Sequence, residues 1–152
     1  MGWSDCIPKW LQRPAPAVPP APLLGALTVD QYLMGRDNDQ RYQAECTPAV
    51  RANAAELVRR VNLLLGKYGH TPAVNSGWRP AAINRSVGGA KGSAHLTGQA
   101  VDLADRDQAL QTWCLENIAE LEAAGLWCED FAYTKTWVHW QSRPAANRIF
   151  KP

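Results

Sequence analysis

The sequence predicts one α+β domain in which helices flank a small, mainly antiparallel sheet. Two observations lead to this prediction: one long segment with helical apolar periodicity, and several short apolar segments separated by glycine-rich or polar turns. The 152 residues match the usual size of a single domain, and a hydrophobic content of 46% is enough for a core.

The longest predicted element is a helix of about six turns between Thr47 and Gly69. Thr47 is a good N-cap residue, Pro48 suits the first helical position, and Gly69 is typical of a helix end. Apolar residues recur along one face of this helix, at Val50, Ala54, Leu57, Val58, Val61, Leu64, Leu65 and Tyr68.

The rest of the domain is predicted to alternate strands with a second helix. Strands are predicted over residues 73–78, 100–103, 126–128 and 136–141. The helix is predicted over residues 106–124, with Asp105 as its cap and these residues facing inward: Leu110, Trp113, Ile118 and Leu121.

Composition excludes several classes of protein. Sixteen basic and fourteen acidic side chains give a net charge of +2. This charge is too small for a protein that binds nucleic acid mainly by electrostatic attraction. No apolar run is long enough to span a membrane. We also expect no signal peptide, because Asp5, Pro8 and Lys9 interrupt the first residues. Four cysteines do not indicate a disulfide scaffold, and we expect free buried thiols at Cys114 and Cys128.

The first 26 residues are predicted to form an arm ahead of a domain over residues 27–152. Five prolines lie within residues 14–22, which favours an extended polyproline-II spacer. Within residues 1–13, one helical face carries Trp3, Ile7, Trp10 and Leu11. Two interpretations stay open: these residues fold back onto the domain, or they form a docking peptide for a larger assembly.

Three side chains are candidate metal ligands: His95, Asp102 and His139. A catalytic zinc site needs three protein ligands, with bonds of about 2.0–2.2 Å, plus water. Seven residues of straight strand span about 23 Å and seven of helix about 10 Å, so the chain must turn between His95 and Asp102. Gly98 allows that turn, and His139 comes from a separate strand. Spacing alone is also compatible with purely structural histidines.

The pattern Ser93-x-His95-x-x-Gly98-x-Ala100-x-Asp102, followed by Trp137-Val-His139, resembles the zinc-binding signature of the M15 peptidases. Ser76-Gly-Trp-Arg-Pro80 is similar to that family's S-G-aromatic-R-P element, and the intervening Asn84 and Gly88-Gly-Ala90 also match. Met34-Gly-Arg-Asp37 resembles the segment before the long helix in small phage and prophage members. The similarity covers residues 27–152.

The resemblance implies the hedgehog/D,D-peptidase α+β fold and one Zn²⁺ held by His95, Asp102 and His139. It also implies hydrolysis of peptidoglycan stem peptides, as a D-Ala-D-Ala carboxypeptidase or an L-alanyl-D-glutamate endopeptidase. We therefore expect a protein that is made in a bacterial cytoplasm and acts at the cell wall after lysis or as part of a virion. Residues 1–13 would then contact the virion or a lysis partner.

The sequence departs from the family pattern at the general base. Many members have a glutamate three residues before the last ligand, where this chain has Thr136. Glu129 and Asp130 are the nearest acids, and a hairpin could bring Glu129 to the metal. The other interpretation of Glu129 is a solvent-facing turn residue. If no acid serves, the chain is a zinc-stabilised but inactive structural or binding module of a phage particle.

Two further side chains have candidate roles. Arg79 could hold a substrate carboxylate or carbonyl with its planar fork of donors, or it could simply stack on an aromatic ring at the surface. Gln141 shares a strand face with His139 and could hydrogen-bond a zinc ligand.

Overall fold

The computed structural model describes residues 25–152. Most of the predicted arm, including the segment 1–13 and the proline-rich spacer, lies outside the described residues. Among residues 25–152, no helix is both long enough and apolar enough to cross a membrane.

The described chain contains both helices and a sheet, which confirms the α+β prediction. The helices are α1 (Val29–Leu33), α2 (Pro48–Tyr68), α3 (Ala81–Ser86), α4 (Ala109–Glu116) and α5 (Ile118–Ala124), with 3₁₀ turns at Gln43–Glu45 and Ala94–Thr97. The strands are β1 (Val74–Ser76), β2 (Ala100–Ala104), β3 (Trp127–Glu129), β4 (Trp137–Gln141) and β5 (Ile149–Phe150).

The five strands form one sheet in the order β1-β2-β4-β3-β5. All pairings are antiparallel except that between β3 and β5. Side chains alternate across the sheet, so one face carries a fully buried set: Val101, Leu103, Cys128, Val138 and Trp140. This face packs into a core with apolar residues of α2, α4 and α5. The opposite face carries the polar side chains of these strands.

The long helix begins and ends where the sequence predicts. The Thr47 hydroxyl accepts a hydrogen bond from the Val50 amide, and Gly69 ends the helix with a positive φ of 83°. The apolar stripe from Val50 to Leu65 is buried, which fixes the face that α2 presents to the sheet.

The prediction of one continuous helix over residues 106–124 is wrong, because this segment forms two helices, α4 and α5. Asn117 interrupts it with φ −126° and ψ 41°, and its side-chain amide donates to the Trp113 carbonyl at 2.9 Å. Asparagine side chains compete for backbone hydrogen-bonding groups in this way, so α4 ends before Asn117 and α5 begins after it. Ile118, predicted to face inward, is therefore 37% exposed. The N-cap residue of α4 is Gln108 and not Asp105, but the Asp105 carboxylate still accepts the amides of Leu110 and Gln111 in the first turn, both at 2.9 Å.

Candidate metal centre

His95 enters the site from the 3₁₀ turn Ala94–Thr97, and its side chain is 1% exposed. Its Nδ1 lies 2.7 Å from the Gly77 carbonyl oxygen, which can only accept a hydrogen bond. The proton therefore sits on Nδ1, and the Nε2 lone pair is free. Nε2 is buried and has no hydrogen-bond partner. Burial lowers the pKa of His95 and so favours the neutral ring that metals bind.

The chain reverses after His95 at Gly98, the turn residue that the spacing requires. Gly98 has a φ of 73°, and an added Cβ would lie 2.6 Å from the Val50 carbonyl oxygen. Only glycine fits this combination of backbone angle and close contact with α2. The turn brings the start of β2 back toward His95, so that Asp102 Oδ1 lies 3.3 Å from His95 Nε2.

Asp102 and His139 are direct register partners on the antiparallel strands β2 and β4. His139 Nδ1 lies 2.8 Å from Asp102 Oδ1, and His139 Nε2 lies 3.4 Å from Gln141 Oε1. An amide oxygen is an acceptor, so Gln141 favours the proton on Nε2 and leaves Nδ1 for a metal. Burial disfavours the Asp102 carboxylate, but contacts with His139 and His95 outweigh it and hold the pKa below its ordinary value.

The donor atoms of His95, Asp102 and His139 all lie within 4.8 Å of one another. Two imidazoles and one carboxylate form a donor set that zinc binds in catalytic sites. The unpartnered Nε2 of His95 is the clearest sign of fit, since a buried nitrogen without a partner is costly unless something binds it. These three residues therefore fit a metal ion.

Arg79 follows β1 and lies against the same carboxylate. Its Nη2 donates to Asp102 Oδ2 at 3.0 Å, and both side chains are 13% exposed. Arg79 is thus buried beside a candidate ligand, which excludes the interpretation of a surface arginine stacked on an aromatic ring. Its backbone amide also donates to the His95 carbonyl at 3.1 Å, which joins the end of β1 to the histidine turn.

Glu129 ends β3 on the side of the sheet that carries the candidate ligands. The pairs Trp127–Gln141 and Cys128–Trp140 set the register of β3 against β4. Continuing this register by one residue places Glu129 opposite His139, so that both side chains lie on the same face of the sheet. Glu129 is half-buried, and this burial raises the pKa of its carboxyl group.

The other residues considered for the base have different surroundings. Thr136 is exposed in the loop before β4, and its carbonyl accepts the Asp105 amide. Asp130 lies at a turn, and its carboxylate accepts a hydrogen bond from the Ala132 amide at 2.9 Å. Among the acids near β3, Glu129 alone shares the face of the candidate ligands.

Two residues that support the site were not singled out as site residues from the sequence. Gly77 supplies the carbonyl that orients His95, and Arg36 donates to the neighbouring Trp78 carbonyl. Gly77 belongs to the Ser76–Pro80 segment, whose resemblance to a family element was the available signal, whereas its close contact with Tyr32 depends on the tertiary fold. Arg36 belongs to the Met34–Asp37 segment, whose resemblance to family members was the available signal.

Comparison with known proteins agrees with this geometry. No curated protein matches the chain. A family model described as Peptidase M15 matches residues 31–141, which include all three candidate ligands, Arg79 and Glu129. Because that match covers well over half of the sequence, the chain belongs to the Peptidase M15 family, with the metallopeptidase type of function that this membership carries.

Proposed function

We propose that this protein is a zinc peptidase that hydrolyses peptide bonds in bacterial peptidoglycan stem peptides. His95, Asp102 and His139 hold the Zn²⁺ in this proposal. The observation that carries it is the convergence of three donor atoms within 4.8 Å around a buried, unpartnered His95 nitrogen. Zinc bound there supplies a Lewis acid that polarises the scissile carbonyl and makes water a stronger nucleophile.

Glu129 acts as the general base and acid. It takes a proton from the attacking water and passes it to the nitrogen of the leaving amine. Its position opposite His139, on the face that carries the candidate ligands, supports this role. A pKa raised by burial also suits a carboxyl group that must both accept and release a proton near neutral pH.

Arg79 holds the substrate in this proposal. Its Nη2 donates a hydrogen bond to Asp102, and its Nε is buried and has no hydrogen-bond partner. Nη1 has neither a protein partner nor enclosure among the described residues, so it is free to donate to a substrate oxygen. The ion pair with Asp102 keeps the guanidinium beside the reacting carbonyl.

The stem-peptide substrate is supported by the resemblance of the Ser93–Asp102 and Ser76–Pro80 motifs to peptidoglycan-cleaving M15 members. Both a D-alanine carboxypeptidase and an L-alanyl-D-glutamate endopeptidase are within the proposal. Purified sacculi incubated with zinc-loaded protein should release peptides with new termini, and mass spectrometry identifies the bond. Intact sacculi after incubation with fully zinc-loaded protein would contradict the proposal.

The second candidate is an inactive, zinc-stabilised module of a phage particle. Thr136, in place of the usual acid, is the observation that favours it. The same sacculus experiment separates the two: stoichiometric zinc without cleavage favours the module, and cleavage excludes it.

We also propose that residues 1–13 dock the domain onto a virion or a lysis partner, so that the enzyme acts at the cell wall. Trp3 and Trp10 support this proposal, because tryptophans are frequent anchors at protein interfaces. A truncated protein starting at Leu27 should keep its zinc and activity while losing the partner. Unfolding of that truncation would show instead that the arm is part of the core.

A further inference from the structure

Arg36 lies in the loop after α1 and contacts the segment after β1 that leads to Arg79. One of its terminal nitrogens, Nη1, donates to the Trp78 carbonyl. Trp78 directly precedes Arg79, so this contact places the Arg36 guanidinium beside the peptide bond that joins Trp78 to Arg79, within range of the Arg79 charge. The loop is held there by two more contacts: the Trp78 amide donates to the Tyr32 carbonyl at 3.3 Å, and the Gly77 amide to the Met34 sulfur at 3.4 Å.

The Arg36 guanidinium has no counter-ion among residues 25–152. The acids nearest in sequence pair with other arginines, Asp37 with Arg51 and Asp39 with Arg41. No other ion pair of the described residues includes Arg36. Within residues 25–152, Nη1 is the side-chain nitrogen of Arg36 that forms a hydrogen bond, so Nε and Nη2 are available to a ligand.

Two guanidinium charges that lie near each other and partly out of water are unfavourable unless an anion neutralises them. Burial lowers the pKa of Arg36, and the charge of Arg79 lowers it further. Asp102 neutralises Arg79 from one side only, through Oδ2. Glu129 also acts on Arg79 from a greater distance, whereas Arg36 has no ion-pair partner among residues 25–152. A substrate carboxylate can supply that partner.

We propose that Arg36 and Arg79 together form a subsite for a carboxylate carried by the substrate residue whose amine is released. This inference rests on the proposed peptidase function. A row of four polar residues crosses the sheet in the order of the strands: Arg79, Asp102, His139 and Glu129. Arg79 follows β1 and Glu129 ends β3, so the two lie at opposite ends of this row. A substrate crossing that row would have its scissile carbonyl at the metal ligands and its carboxylate at the two arginines.

Both candidate bonds in a stem peptide have this chemistry. Removal of a terminal D-alanine releases a residue with a free carboxylate, and cleavage before a γ-linked D-glutamate releases one with a free α-carboxylate. The subsite therefore distinguishes a carboxylate from a carboxamide at that position. A peptide with the carboxylate amidated would lose the charge that two arginines select.

The test measures binding with two matched pairs of peptides. One pair is diacetyl-L-Lys-D-Ala-D-Ala and its C-terminal amide; the other is L-Ala-γ-D-Glu-L-Lys and the same peptide with the D-Glu α-carboxyl amidated. Calorimetry uses the zinc-loaded Glu129→Gln protein, so that binding is measured without turnover. In at least one pair, the carboxylate should bind about 10- to 100-fold more tightly than the amide.

Adding Arg36→Gln, which keeps a donor for the Trp78 carbonyl, should reduce that preference about tenfold. Arg41→Gln is the matched control, since Arg41 is exposed and pairs with Asp39, and it should leave the preference unchanged. An unchanged preference in Arg36→Gln, or equal weakening of carboxylate and amide, would overturn the subsite. A carboxylate preference, together with no hydrolysis of either pair by the zinc-loaded unsubstituted protein, would instead refute the proposed peptidase function and leave the subsite standing.

Discussion

Asp102 and His139 face each other across β2 and β4, with Asp102 Oδ1 2.8 Å from His139 Nδ1. Sheet register alone therefore brings together two of the three candidate ligands, and the turn at Gly98 adds His95. Oδ2 of the same carboxylate accepts from Arg79. Asp102 thus connects the candidate metal ligands to the residue proposed to hold substrate.

Zinc binding should depend on His95. His95→Ala removes one of three ligands, and the protein purified without chelator should lose its near-stoichiometric zinc. His70→Ala is the control, because His70 is exposed and lies away from the three ligands. Elemental analysis measures both variants, and full zinc in His95→Ala would contradict the ligand assignment.

Gln141 should act on zinc affinity through His139. Its Oε1 lies 3.4 Å from His139 Nε2, and its amide group is held by the Arg143 carbonyl at 2.6 Å. Gln141→Leu removes the acceptor that orients the ring, so zinc affinity should fall about 10- to 100-fold. Competition with a chromophoric chelator measures this, with Gln43→Leu, on an exposed turn, as control. Equal affinities in both variants would show that Gln141 has no such role.

Gly77→Ala should destabilise the fold. An added Cβ would lie 1.8 Å from the Tyr32 carbonyl oxygen, and backbone on both sides must shift to admit it. We expect a loss of about 1–3 kcal/mol in the free energy of unfolding, measured by chemical denaturation. Gly92→Ala is the matched control, since nothing lies within 4 Å of its added Cβ. Similar unfolding midpoints for the two variants would contradict this packing.

Glu56 should contribute to stability in a pH-dependent way. Hydrogen bonds from Arg59 at 2.8 Å and Arg60 at 2.7 Å lower the pKa of its carboxyl group to about 2 in the folded protein. A lowered folded pKa means that the contribution is complete above the unfolded value of 4.5 and is lost as the pH falls toward 2. The pair is partly exposed, so the contribution is at most about 1 kcal/mol.

Glu56→Gln should therefore be less stable than the unsubstituted protein at pH 7, and the difference should shrink as the pH falls below about 4. Thermal unfolding at several pH values measures this. Glu116→Gln serves as control, because Glu116 is exposed and forms no ion pair within residues 25–152. A difference that stays constant with pH would show that the ion pairs do not cause it.

Some features could be predicted because their signals are local. The ends of α2 follow from a threonine cap, a proline and a glycine, each of which acts within one helical turn. The turn at Gly98 follows from the distance that separates His95 from Asp102 along any regular element.

Other features depend on contacts that the local sequence does not encode. The break at Asn117 divides what is otherwise a continuous helical pattern. The parallel pairing of β5 with β3 joins short segments whose register is set by tertiary packing. The proximity of Arg36 to Arg79 arises only when the loop after α1 packs on the end of β1.

Hydrolysis with Glu129 as the base is tested by the rate at which zinc-loaded protein releases new amino groups from purified sacculi. The same rate is measured for Glu129→Gln at equal zinc content. We expect measurable hydrolysis by the unsubstituted protein, a reduction of about 10²- to 10⁴-fold in Glu129→Gln, and little change in Asp130→Asn. Undiminished hydrolysis by Glu129→Gln, or none by the zinc-loaded unsubstituted protein, would contradict this expectation.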